Sequence, residues 1–103
     1  MPDVIEMPYT PPLANAGKPG EKGFDYTLAG ATCLAGDVIG KYSFNEPLKI
    51  GDRVKFQDMA IYSFVKNNTF NGRPLPALAV KDKSGDCKII KTFGYEDFKS
   101  RLG

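Results

Sequence analysis

The sequence predicts an all-β fold, an antiparallel sandwich or barrel closed by one short terminal helix. Two observations carry that prediction. Short apolar or alternating runs recur between Gly, Asn and Pro turns, enough for six or seven strands. No internal repeat and no strand–helix–strand unit interrupts them, and helical spacing shows only over the last nine residues. With 103 residues the chain has room for one domain with a thin core. A composition of 42% hydrophobic and 25% charged residues is that of a folded domain rather than a disordered segment.

Val4, Ile5 and Met7 suit a short strand. Five of the eight prolines fall in residues 1–23, where they forbid a helix and leave carbonyls without matching donors. Residues 10–23 are therefore expected to be a long flexible loop, one that lies against something or is mobile. Phe24, Tyr26 and Leu28 alternate with Asp25, Thr27 and Ala29, the pattern of a strand with one buried face. Gly30 and Gly36 bracket the segment ATCLAGD, and VIGKYSF resumes extended structure up to a turn at Asn45-Glu46-Pro47. After a Gly51-Asp52 turn, Val54 and Phe56 alternate with Arg53, Lys55 and Gln57 as a further strand. AIYSFV, residues 60–65, is apolar enough to be a central strand. Asn71-Gly72 is a pair that readily takes positive φ. PLPALAV and CKIIKTF form a hairpin across Ser84-Gly85-Asp86, its prolines tolerable at a strand start or on an edge. Tyr95, Phe98 and Leu102 recur at helical spacing behind Glu96 and Asp97, giving a terminal helix ended by Gly103.

Composition excludes several function classes. Histidine is absent, which removes His-based acid–base catalysis, His-containing triads and the commonest metal ligand, and no metal site is expected. No apolar run nears the ~20 residues of a membrane span. Two cysteines without secretory features point to reduced thiols and a cytoplasmic setting. The net charge is +2, divided as −3 over residues 1–40 and +5 over residues 41–103. The lysines and arginines of the second part are interleaved with acids, which reads as solvated strand faces; neither nucleic acid nor membrane is an expected partner.

Four spots could carry chemistry. Cys33, beside glycines in a turn, is either a small buried hydrophobe or a proton donor or acceptor, since a thiol is within reach of proton transfer near neutral pH. Asp37, further along, caps the turn or reaches a lysine across an interface. Tyr62 either packs its ring in the core or offers its hydroxyl to a phosphate oxygen. Asp58 is a turn residue or an orienting carboxylate, and the polar loop 66–72 could pack by an active site. Cys87 suggests a structural or surface role. No Gly-rich phosphate loop, CxxC pair or HExxH motif is present.

The segments MPDVIEMPY, GATCLAGDVIG, IGDRVKFQDMAIYSFVKNNTFNG and RPLPALAV together resemble the C-terminal region of carboxynorspermidine decarboxylases. These are pyridoxal-phosphate decarboxylases of the alanine-racemase-like fold, related to the diaminopimelate and ornithine decarboxylases. The resemblance runs across nearly the whole chain. It implies a C-terminal β-domain over residues 1–103, a fragment inactive alone, whose missing N-terminal barrel carries the Schiff-base lysine and the phosphate loop. It further implies a pyridoxal 5'-phosphate cofactor, a polyamine-like substrate such as carboxynorspermidine or carboxyspermidine, and a homodimer with shared active sites.

By motif, the resemblance makes Cys33 the catalytic cysteine that reaches into the partner's site, and Asp37 an interface acid. Tyr62 becomes a cofactor-phosphate contact and Asp58 a weaker candidate for substrate binding. One position departs from the pattern. Diaminopimelate and ornithine decarboxylases carry an acid directly after the cysteine to bind the substrate's distal amine, and this chain has Leu34. That departure favours a longer, polyamine-like substrate. The alternative reading is a stand-alone β-domain serving as a ligand-binding or dimerisation module.

Overall fold

The computed structural model describes Val4 and residues 10–34, 37–59 and 61–103. The strand expected around Val4, Ile5 and Met7, the turn glycine Gly36 and Ala60 fall, Val4 apart, outside the described residues. The chain divides into two compact units, residues 1–67 and 68–103. As the pattern predicts, the described strands are all antiparallel and form two two-stranded sheets, with a few short helices beside them.

In the first unit β1 (Phe24–Ala29) pairs with β2 (Val38–Phe44). The register sets Phe24 opposite Phe44, Tyr26 opposite Tyr42 and Leu28 opposite Gly40, then slips between Leu28 and Ala29. Tyr26 and Leu28 turn to the covered side, as the alternation requires, and Phe24 at the strand's start is exposed. The core is small: Leu13, Tyr42 and Phe44 are buried, with Ala16, Tyr26, Leu28, Leu48 and Phe56 packed around them. Aromatic rings meet edge to face in it, Tyr26 with Phe44 at 5.8 Å and Tyr42 with Phe56 at 5.9 Å between centroids.

The proline-rich segment closes this core from the other side. Its Gly17 exchanges backbone hydrogen bonds with Ser43 of β2, and Leu13 bridges to Phe56. Prolines cannot donate, so the question is where their carbonyls go. The Pro12 carbonyl accepts from the Gln57 amide at 2.8 Å, and the buried Tyr42 hydroxyl donates to the Pro11 carbonyl at 2.8 Å. Ser43 is completely buried, and its hydroxyl oxygen accepts the Lys22 amide. Val54–Phe56, expected as a strand, makes only this isolated pairing with the proline-rich segment among the described residues.

Residues 61–65 depart from expectation. They form a one-turn helix, α1 (Ile61–Val65), where a central strand was predicted. A short apolar run suits either conformation, and its partners decide. Here the turn closes on itself, with the Lys66 amide donating to the Tyr62 carbonyl and the Asn67 side-chain amide to the Ser63 carbonyl. Phe64 and Val65 are left exposed, which a central strand would not allow.

The second unit follows the predicted order. A 3-10 turn (Phe70–Gly72) contains Asn71 and Gly72 at φ 59° and 69°, the positive values expected of that pair. β3 (Leu78–Lys81) pairs with β4 (Cys87–Lys91) across a turn in which Gly85 has φ 95°. The Ser84 hydroxyl donates to the Asp82 carboxylate and holds its pKa below the ordinary value. The terminal helix, α2 (Tyr95–Arg101), opens where the Asp97 carboxylate accepts the Gly94 amide and ends with Lys99 and Arg101 in its last turn.

Tyr42→Phe tests the closure of the first unit. It strands the carbonyl of the fully buried Pro11, and a loss of about 1–3 kcal/mol is expected in urea titration. Tyr26→Phe removes only the half-buried bond from the Leu48 amide and should cost roughly 1 kcal/mol or less.

Candidate functional site

The register slip at the end of β1 aims the chain into the loop that carries Cys33. The loop is closed at its base by the Gly30 amide, which donates to the Asp37 carbonyl at 2.8 Å. Inside it, one carboxylate oxygen of Asp37 accepts both the Thr32 amide (3.0 Å) and the Thr32 hydroxyl (2.6 Å). The Thr32 hydroxyl oxygen accepts the Leu34 amide at 3.3 Å, and the Asp37 amide donates to the Leu34 carbonyl at 3.0 Å. Gly30 is required here by sterics. A Cβ at this position would overlap both Asp37 carboxylate oxygens.

Cys33 sits inside that clamp as a free, exposed thiol with φ 60°. The left-handed region costs a non-glycine residue about 1–2 kcal/mol, so the surrounding bonds must hold it there. Of the two residue-level readings for Cys33, exposure removes the buried hydrophobe. Of those for Asp37, turn capping is what the hydrogen bonds display. The Thr32 hydroxyl and amide hold the Asp37 carboxyl below its ordinary pKa. Leu34 is exposed beside the thiol and offers no charge to an incoming amine.

The remaining candidates lie on another segment. Asp58, exposed and at φ 54°, sits just before α1, and Tyr62 sits just inside it, half-buried. The Lys66 ammonium lies 5.7 Å from the Tyr62 ring centroid. A phenol and an ammonium are each donors that a phosphate oxygen accepts from, and that is the chemistry these two residues offer a phosphate-bearing cofactor. Cys87 is exposed at the start of β4 in the second unit, the surface position anticipated for it. Thr32 escaped the sequence reading. Its signal is a threonine adjacent to the cysteine in a glycine-flanked turn that ends in an aspartate.

An antiparallel sheet unit presenting a clamped thiol defines a class. Residues 1–60 match the profile of the family described as pyridoxal-dependent decarboxylase, C-terminal sheet domain, and the chain belongs to that family. Among individual relatives, it is 48% identical over its full length to a carboxyaminopropylagmatine decarboxylase from Synechocystis sp.. It is 44% identical, over 98% of its length, to a carboxynorspermidine/carboxyspermidine decarboxylase from Campylobacter jejuni. The crystal structure of carboxynorspermidine decarboxylase from Campylobacter jejuni, complexed with norspermidine, superposes with a TM-score of 0.86 at 44% identity and 98% coverage of this chain. The chain spans only 27% and 29% of the two relatives and 30% of the solved chain.

Two variants test the clamp. Asp37 has a lowered pKa when folded, so its stabilising contribution is complete above the unfolded pKa and disappears as pH falls through the folded one. The stability advantage of the unsubstituted protein over Asp37→Asn should therefore be constant above about pH 5 and shrink below about pH 4 in thermal melts. Gly30→Ala should destabilise by about 1–3 kcal/mol, because the carboxylate cannot yield without breaking its bonds to Thr32.

Proposed function

We propose that this chain is the C-terminal β-domain of a pyridoxal-phosphate-dependent decarboxylase of polyamine synthesis, and that it supplies the proton donor. The observation that carries the reading is Cys33, a free and exposed thiol held in left-handed backbone by its own loop. The cofactor, when bound, supplies the electron sink for decarboxylation. The chain's part is narrower. As the bond to the carboxylate breaks and carbon dioxide leaves, the carbon it leaves behind takes the proton held on Cys33 Sγ. Solvent then reprotonates the thiolate. Proton delivery of this kind is worth about 10²–10⁴ in rate.

The other roles follow from chemistry. Tyr62, with Lys66 beside it, would donate to a phosphate oxygen of the cofactor. Asp58 is the weaker candidate for holding an amine of the substrate. Asp37, whose carboxylate organises the loop, is the acid that would meet a lysine of the partner subunit in a homodimer with shared active sites. A cytoplasmic location goes with the free thiols.

The substrate class is a carboxylated polyamine. Leu34 places an apolar side chain where an ammonium group would need an acid, which disfavours short diamino acids. Carboxynorspermidine and carboxyspermidine, converted to norspermidine and spermidine, fit that restriction. The named activities of the relatives fit it too, carboxyaminopropylagmatine included.

Cys33→Ala in the full-length protein tests this reading. Turnover of carboxynorspermidine should fall by about 10²–10⁴. Near-normal decarboxylation would leave a dimerisation domain with an inert Cys33 in its place. The 103-residue chain alone, with cofactor added, should show no decarboxylation at all.

A further inference from the structure

The clamp around Cys33 depends on a residue to which neither the resemblance nor the proposed chemistry gives a role. We propose that Thr32 is a positioning residue, whose hydroxyl holds the Leu34 amide on one side of Cys33 and the Asp37 carboxylate that binds the Thr32 amide on the other, and so aims the thiol. This rests on Cys33 being the proton donor. On the preceding side, the Thr32 amide is tied to the Asp37 carboxylate at 3.0 Å. On the following side, the Leu34 amide is tied to the Thr32 hydroxyl oxygen at 3.3 Å. The same hydroxyl donates to Asp37 at 2.6 Å, the short distance of a charge-assisted bond.

The hydroxyl therefore joins two points of the loop, the Asp37 carboxylate and the Leu34 amide, and the Thr32 backbone amide binds the same carboxylate oxygen. Cys33 lies between the two tied amides at φ 60°, a conformation it would leave if either were released. The methyl of Thr32 can do none of this. Valine preserves its shape and β-branching, and serine preserves its hydroxyl, so the two substitutions separate packing from hydrogen bonding.

The test uses the full-length holoenzyme for kinetics and the same protein without cofactor for amide exchange. Thr32→Val should lower kcat at least about tenfold with KM unchanged, and Thr32→Ser should stay within roughly twofold of the parent. Combined with Cys33→Ala, Thr32→Val should cost nothing further, because it acts only through the thiol. Exchange at the Leu34 amide should speed up about tenfold or more in Thr32→Val and not in Thr32→Ser, while Tyr42 keeps its protection.

A parent-like kcat in Thr32→Val, or a loss that adds in full to that of Cys33→Ala, overturns the positioning role. If Cys33→Ala itself turns over normally, the Cys33 reading falls and the positioning role falls with it. Should Thr32→Val fail to fold, the unsubstituted protein still decides. Its Leu34 amide should exchange about tenfold or more slowly than an unstructured amide, and full exposure to exchange overturns the clamp.

Discussion

The pairing of β1 with β2 is the constraint on which the first unit depends. It places Tyr42 and Phe44 opposite Tyr26 and Phe24, and so creates the only buried apolar cluster among the described residues. It also offers β2 as an edge, which the proline-rich segment covers by pairing Gly17 with Ser43. At its far end the register slip and the Gly30–Asp37 closure generate the Cys33 loop. The buried cluster and the Cys33 loop are thus two ends of one hairpin. Among the described residues the buried apolar side chains are Pro11, Leu13, Tyr42 and Phe44, and the polar closures by Tyr42, Ser43 and Lys22 act beside them.

Much of the architecture could be read locally, and the exceptions share a cause. The Gly51-Asp52, Asn71-Gly72 and Ser84-Gly85-Asp86 turns are encoded in adjacent residues, and each occurs with its glycine at positive φ. β1 shows its alternation openly, and α2 announces itself by spacing and by acids in its first turn. Residues 61–65 were misleading because an apolar run names no conformation until its neighbours are fixed. The packing of residues 10–17 was hidden for a related reason. Its hydrogen bonds go to Tyr42, Ser43, Lys55 and Gln57, far away in sequence.

The candidate site was legible in part. Cys33 and Asp37 could be singled out by type and spacing, yet whether Asp37 serves its own loop or another subunit is not a property of the sequence. The structure shows the first role, and the second belongs to the proposed homodimer. Thr32 was invisible because its significance lies in two bonds made by one oxygen. Absent histidine, which first looks like evidence against catalysis, takes on a narrower meaning. In the proposed function, a chain that spans 27% of a decarboxylase relative contributes a thiol, a phenol and the loop that aims the thiol.

Turnover by the proposed mechanism depends on the proton carried by Cys33. The thiol of the full-length holoenzyme can be converted to a small, reducible methyl disulfide, with Cys33 and Cys87 scored separately by mass spectrometry. Activity should fall in proportion to the modified fraction of Cys33, be indifferent to Cys87, and return when the disulfide is reduced. Full turnover with Cys33 completely modified would contradict that mechanism.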